Sequence, residues 1–353
     1  MKKTIALILV LAMFACLFTG CSEKAATPTA ATPTAAPSVS EAPATASYEW
    51  KQVGSVENVK IVEQEPERAL KFAFLGYSNN SFWDLIYEGV DNAAEFLKQH
   101  NVTIDKINLG TEIGADVMNN ALESCMLQGY DGIICTTLVT GCEKYINDCV
   151  DAGIPVGIIV GEGSESKRNF LIAGGAATTY NLAAEHIDQA LNGEKGATFA
   201  VVVAQFSLEA TEVARNNVIS ILEGKGYECV GSFEAHDSAD ECYSITEQLL
   251  TAHPDLGAIY CVSGGTYGIP KAVVDAGKAG EVYIFGNDEI AENLEYVREG
   301  VMDVVGQNPH GSAFDAFMYL YNIVVAGQYP EETNISAACP IITADNVNEL
   351  FPK

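Results

Sequence analysis

Residues 70–98 read LKFAFLGYSNNSFWDLIYEGVDNAAEFLK, and the parsing of this stretch decides the fold. Phe72-Ala73-Phe74-Leu75 is a short unbroken apolar run, the pattern of a strand buried on both faces. Gly76 ends it, and Tyr77-Ser78-Asn79-Asn80-Ser81 make a polar turn. A helix is expected after Phe82 and Trp83, because Ile86, Val90, Ala93 and Leu97 recur at the spacing of one apolar stripe. Two aromatics then stand at a strand-to-helix turn beside two asparagines. In open α/β sheets ligands bind beyond the carboxyl ends of the strands, where this turn lies. Phe82 and Trp83 either close the core or face a ligand, and the turn alone leaves both open.

Working outward, apolar strand-like runs alternate with amphipathic ones. Strands are expected over 72–76, 102–109, 132–136, 156–160 and 170–173, and in a second series over 199–203, 229–233, 258–262, 283–286 and 304–306. Helices are expected after Trp83, over 115–127 and 142–151, then over 210–225, 240–252 and 268–276. Gly129 and Gly153 follow two of these as stop signals. Repeated β-α units imply parallel sheets covered by helices, and two series of five strands imply two similar lobes. A helix over 312–326 follows the second series and is free to return to the first lobe.

The N-terminus is a targeting segment. Lys2 and Lys3 precede an apolar run over 5–18 that is too short for a comfortable membrane span, and Thr19-Gly20 lead into Cys21. This resembles a bacterial lipoprotein signal over 1–20, with Cys21 as the lipid attachment site, although Phe18 stands where such signals usually have Leu. Residues 21–47 are almost entirely Ala, Thr, Pro and Ser, a composition that cannot bury enough surface to fold and reads as a tether. Residues 48–70 form a preamble.

Ten cysteines are present, and with Cys16 and Cys21 in the signal region eight remain. None lies at metal-ligand spacing, and Cys135 and Cys261 sit within apolar runs, where a free thiol behaves as a small hydrophobe. The formal charge of −28 becomes −30 when Lys2 and Lys3 are removed. Such acidity argues against nucleic acid and against a polybasic membrane patch.

The runs LKFAFLGYSNNSFWDLIYEGVDNAA, DGIICTTLV, AGIPVGIIV, QLLTAHPDLGAIYCV, VYIFGNDE and VVGQNP, in that order, resemble the exported sugar-binding proteins of ABC transporters, the ribose- and galactose-binding type. The resemblance implies an α/β fold of two Rossmann-like lobes with parallel sheets joined by a three-crossover hinge, the type I periplasmic binding protein fold. It places the N-terminal lobe at 71–174 plus 308–337 and the C-terminal lobe at 175–307 plus 338–353. Sugar-responsive repressors share this core, but a signal and tether stand here in place of their DNA-binding headpiece.

In such clefts aromatic faces stack on sugar rings and planar polar groups pair with hydroxyls. The resemblance assigns Asn80, Phe82 and Trp83 to the first-lobe asparagine and aromatics, and Arg215 to an arginine spanning the ring. It assigns Asp288 to the aspartate ending a second-lobe strand and Gln307 to a glutamine near the last crossover. Asp288 is equally placed to cap a helix starting near Ala291. Three departures matter. Ribose binders carry an Asp-Arg pair where Val160 and Gly161 stand, with Glu162 close enough to substitute. Ser263, in Ser263-Gly264-Gly265, takes the place of a second-lobe asparagine. His236-Asp237 is polar where an aromatic is usual, which adds Asp237 to the candidates. A pentose or hexose is expected, with a less hydroxylated ligand or a signalling furanose as alternatives.

The function implied is a monomeric, lipid-anchored extracytoplasmic receptor that captures a small polar solute by hinge closure and delivers it to an ABC permease. The alternative is a sensory receptor signalling to a membrane kinase or chemoreceptor. An enzyme is not expected: no GxGxxG follows a strand, no GKS or GKT loop and no GxSxG elbow occur, and the five histidines show no metal spacing. No cofactor or metal is expected.

Overall fold

The computed structural model describes residues 59–353, except 79, 164, 174, 175, 338 and the side chains of 176–178. The signal segment, Cys21, the tether and most of the preamble lie outside the described residues.

The first lobe opens with β1 (Leu70–Gly76), α1 (Ser81–Lys98), β2 (Val102–Asn108), α2 (Ala115–Gln128), β3 (Gly132–Thr137), α3 (Glu143–Asp151), β4 (Val156–Gly161) and β5 (Phe170–Ala173). The second runs α4 (Ala176–Ala190), β6 (Thr198–Val203), α5 (Glu209–Lys225), β7 (Glu228–Glu234), α6 (Ala239–Ala252), β8 (Leu256–Val262), α7 (Gly268–Asp275), β9 (Tyr283–Asn287), α8 (Ala291–Arg298) and β10 (Asp303–Val305). The tail supplies α9 (Pro309–Ala326), β11 (Asn334–Ser336), β12 (Ile341–Ile342) and α10 (Val347–Leu350). One sheet has the order β11-β5-β4-β3-β1-β2 and the other β12-β10-β9-β8-β6-β7, parallel throughout except where β12 runs against β10. Central strands such as β3 are buried at every position, which is why they read as unbroken apolar runs.

Helix α1 starts at Ser81, before the aromatics and not after them. The Asn80 carboxamide oxygen accepts the Phe82 backbone N–H at 3.0 Å and caps the helix one residue upstream of Ser81. Phe82 and Trp83 therefore occupy the first helical turn, about 100° apart around the axis. The buried stripe of α1 then continues through Ile86, Val90, Ala93 and Leu97.

The long helix α9 packs against α1 and over β3 and β4 of the first sheet. Gly89 permits this approach, since a Cβ there would run into the His310 carbonyl. Residues 60–64 are fastened to the same helix. Asn322 accepts from the Val62 N–H at 2.8 Å and donates to the Lys60 carbonyl at 2.9 Å, and the Tyr321 hydroxyl donates to the Gln64 carbonyl at 3.0 Å. All eight cysteines of the body are free thiols, six of them buried.

The chain crosses between the sheets three times: from β5 to α4, from β10 to α9 and from β11 to β12. The crossings are hydrogen-bonded to one another, with Ala337 N–H to Ala173 O at 2.9 Å and Gly306 N–H to Pro340 O at 2.9 Å. Glu289 braces the second crossing. Its buried carboxylate accepts the backbone N–H groups of Gln307 at 2.8 Å and Asn308 at 2.7 Å.

Candidate functional site

The carboxyl ends of both sheets face a cleft between the lobes. The lobes touch across it: the Ser81 hydroxyl of α1 donates to the Glu292 carboxylate of α8 at 2.9 Å. Gly264 comes against Asn80, and a Cβ at that position would collide with the Asn80 carboxamide. Glycine at position 264 is thus what this close approach requires.

Two small chambers, each of about 100 Å3, occupy the cleft. Phe82, Val160 and Val262 line both and form the partition between them. Small-molecule sites usually enclose about 300–1,000 Å3, so a ring-sized ligand needs the lobes parted or Phe82 turned aside to join the chambers.

The first chamber carries Glu162, Thr179, Asn287, Gln307 and Ser312 as its polar groups. Glu162 directly follows β4 and is half-buried. Burial raises its carboxyl above the usual range and Glu209 adds to this, while Arg168 partly opposes it. Asn287 ends β9, and its carboxamide oxygen is buried without a hydrogen-bond partner. The second chamber carries Asn80, Asp237, Ser263 and Asp288. Asp237 holds the 263–264 turn, accepting from the Gly264 N–H at 2.6 Å and the Ser263 hydroxyl at 3.3 Å.

Asp288 is buried, and the Gln307 carboxamide donates to its carboxylate. Desolvation pushes this carboxyl up to about 7, with Glu289 adding to the shift and the Gln307 hydrogen bond drawing it back. Helix α8 begins after Ile290 with no side-chain cap, so Asp288 is not spent as a helix cap.

The backbone here is strained. Val160 (φ +57°), Asp237 (φ +58°) and Asp288 (φ +77°) all line the cleft in the left-handed region, which a β-branched residue rarely enters.

Of the expected residues, Asn80, Phe82, Trp83, Glu162, Asp237, Ser263, Asp288 and Gln307 come together at the cleft. Within this set the two aromatics differ. Trp83 is only 2% exposed and stands edge-on to Tyr77, with 5.5 Å between ring centres. Phe82 is half-buried and faces both chambers. Arg215 is not brought in. Ala210, Thr211 and Ala214 are the cleft-facing residues of α5. Arg215 lies one position further round, where Glu212 accepts from its guanidinium at 2.5 and 2.8 Å and Ser232 at 3.1 Å. Glu212, one turn upstream, is the sequence signal for this ion pair. Asn287 and Glu289 are additions, flanking Asp288 in the Asn287-Asp288-Glu289 run that ends β9.

These features bear comparison with known proteins. A periplasmic binding protein domain matches residues 72–328. The chain belongs to the periplasmic binding protein family. Among curated relatives of this binding protein, the ABC transporter periplasmic-binding protein YphF of Escherichia coli K12 is 25% identical over 291 residues, 74% of this chain and 83% of the relative. Among solved structures, GanP, a glucose-galactose binding protein from Geobacillus stearothermophilus, superposes with a TM-score of 0.70 at 22% identity, over 79% of this chain and 99% of its own. An ABC transporter solute binding protein from Burkholderia graminis C4D1M, solved with D-arabinose, gives 0.72 at 20% identity, over 79% and 96%. The fold is shared across these proteins.

Proposed function

We propose that this protein is an extracytoplasmic solute receptor that closes its two lobes on a sugar and passes it to an ABC permease. The observation that carries the reading is the cleft itself: a half-buried ring, Phe82, together with a buried Asp288 bonded to a half-buried Gln307, at the ends of two parallel sheets. A ring face matches the C–H face of a pyranose, and a carboxylate and carboxamide match adjacent hydroxyls. Two structural relatives, a glucose-galactose binding protein and a solute binding protein solved with D-arabinose, agree with that chemistry. Hinge closure needs only a higher affinity for the closed form, and the three hydrogen-bonded crossings are the segment that bends. Attachment through a lipid on Cys21, and action as a monomer, complete the proposal.

The test is a thermal-shift screen of the purified protein against pentoses and hexoses. A ligand that binds only the folded state raises the melting temperature by mass action, about 2.7 kcal/mol at a hundredfold excess over Kd. A flat response to every sugar would overturn the sugar assignment. Labelling of the wild type with a fatty-acid analogue, lost in Cys21→Ser, tests the anchor.

A further inference from the structure

The cleft is unusually one-sided in its charge. Among the described residues, neither chamber is lined by a lysine, an arginine or a histidine. Arg215 is held by Glu212 outside it. Arg168, the cation nearest to Glu162 in electrostatic terms, points elsewhere. Its guanidinium donates to the Gly163 carbonyl at 2.9 Å and to the Asn334 carboxamide oxygen at 2.7 Å.

Carboxylates, by contrast, reach the cleft from both lobes. Glu162 comes from the end of β4, Asp237 from the turn after β7 and Asp288 from the end of β9. The side-chain partner of Asp288 is a neutral carboxamide, not a cation. Closing the lobes also sets like charges near each other. Glu209 at the start of α5 acts on Glu162, and Glu292 of α8 acts on Asp84 of α1, each raising the other lobe's carboxyl.

A second, independent observation points to what belongs there. The carboxamide oxygen of Asn287, a residue 5% exposed and lining the same chamber as Glu162, has no donor. A buried acceptor left unpaired costs free energy that a ligand donor recovers. The two chambers together therefore present Glu162 and the Asn287 oxygen in the first and Asp288 in the second as acceptors, and ask for donors. Neutral hydroxyls supply some. An ammonium group supplies three donors and no acceptor, and its hydrogen bonds to carboxylates are charge-assisted. An anionic ligand meets three carboxylates and no cation, with only neutral donors such as the Ser263 and Ser312 hydroxyls to offset the repulsion.

We propose that the cleft selects a sugar-like ring carrying a protonated amine, as in a hexosamine, over its neutral and anionic counterparts, with Glu162, Asp288 and the Asn287 carboxamide oxygen as the acceptors. The inference rests on the sugar reading of the site and narrows it.

Two isosteric series test it by titration calorimetry on the purified full chain: galactosamine, galactose and galacturonate, then glucosamine, glucose and glucuronate. The expected result is an amine bound at least tenfold more tightly than its neutral parent in one series, with no heat from the uronate at millimolar concentration. Equal or tighter binding of the neutral sugar, or binding of a uronate, overturns the charge selection while leaving the sugar reading standing. Spermidine is the control for the reverse failure. If it binds and no ring does, the sugar reading falls and the proposed ring falls with it. Silence from all seven compounds overturns both. Glu162→Gln then locates the effect: the amine-to-neutral preference should drop several-fold or more, and an unmoved preference would remove Glu162 from the acceptor set.

Discussion

The two walls of the cleft are built by different rules. The first-lobe wall is largely apolar apart from Glu162, with Phe82 and Trp83 from the first turn of α1, Ile113 and Leu138 from loops, and Val160 at positive φ near the end of β4. The second-lobe wall is polar and over-determined. Asp237 and Asp288 sit at positive φ, Asp288 is held by Gln307, and Glu289 behind it is committed to two backbone N–H groups of the hinge. Apolar contact tolerates small shifts, whereas hydrogen bonds to a carboxylate do not. The first wall, Glu162 apart, therefore suits holding a ring, and the second suits choosing among rings.

The largest expected effect breaks this comparison within the first wall. Trp83→Ala removes a ring that is buried against Tyr77, so the free protein should lose about 3–5 kcal/mol, visible as a lower melting temperature before any ligand is added. Phe82→Ala, half-exposed to both chambers, should cost less in melting temperature and more in affinity. If Phe82→Ala leaves titrated affinity as it was, the ring that holds the ligand is not Phe82.

On the second wall, Asp288→Asn keeps the shape and removes the charge. Affinity for the ligand found in the screen should fall by about 1.5–3 kcal/mol, the range for hydrogen bonds to a charged group. The free protein should move the opposite way near pH 8, becoming more stable, because a desolvated carboxylate is gone. A variant that binds normally would return Asp288 to a purely structural role.

Acidity sharpens the same point. The Asp288 and Asp315 carboxyls are both pushed up to about 7 by burial. An unfolded aspartate ionises near 3.9, so between about pH 4 and 7 the folded state binds more protons than the unfolded one. Stability from these two groups is therefore highest at the acid end of that window and declines as pH rises through 7. His310, held neutral by burial, works against this below its ordinary range. The difference between wild type and Asp288→Asn isolates the Asp288 share, about 1–3 kcal/mol between pH 5 and pH 8. Parallel melting-temperature profiles for the two proteins would show that Asp288 ionises normally.

How much of this was legible in sequence follows the same division. The central strands are readable because burial on both faces leaves unbroken apolar runs, and the strand ends differ from expectation by one or two residues, whereas α1 and α9 each begin about a turn earlier than expected. Helix α4 was not expected. Its sequence follows two glycines, has two threonines in its first four residues and carries little periodic signal. The two- and three-residue strands β11 and β12 are too short to show a pattern. At the site, Asn80 was read as a ligand group and the structure first uses it as a helix cap. Glu289 was passed over because its partners are backbone groups on the hinge, far along the chain and invisible to side-chain motifs.

Arg215 is where family position and local structure pull apart, and it should give the smallest effect. Its place in the sequence suits an arginine spanning a sugar ring. Its place in the fold is a pair with Glu212 one turn away, with Ser232 as a further partner and the guanidinium 5.0 Å from the centre of the Phe206 ring. The side chain is 21% exposed, so this pair is partly screened and is worth on the order of 0.5–1 kcal/mol. For Arg215 to reach the cleft it would have to leave all three partners and rotate past Ala214, which faces the ligand space. Arg215→Ala should therefore change titrated affinity by no more than about twofold, with a small fall in melting temperature. Glu212→Gln separates the two possibilities. Releasing the guanidinium should do nothing to affinity if the arginine belongs on the outer face. A gain in affinity in that variant, lost again when Arg215 is also removed, would mean that Glu212 withholds an arginine the second wall can recruit.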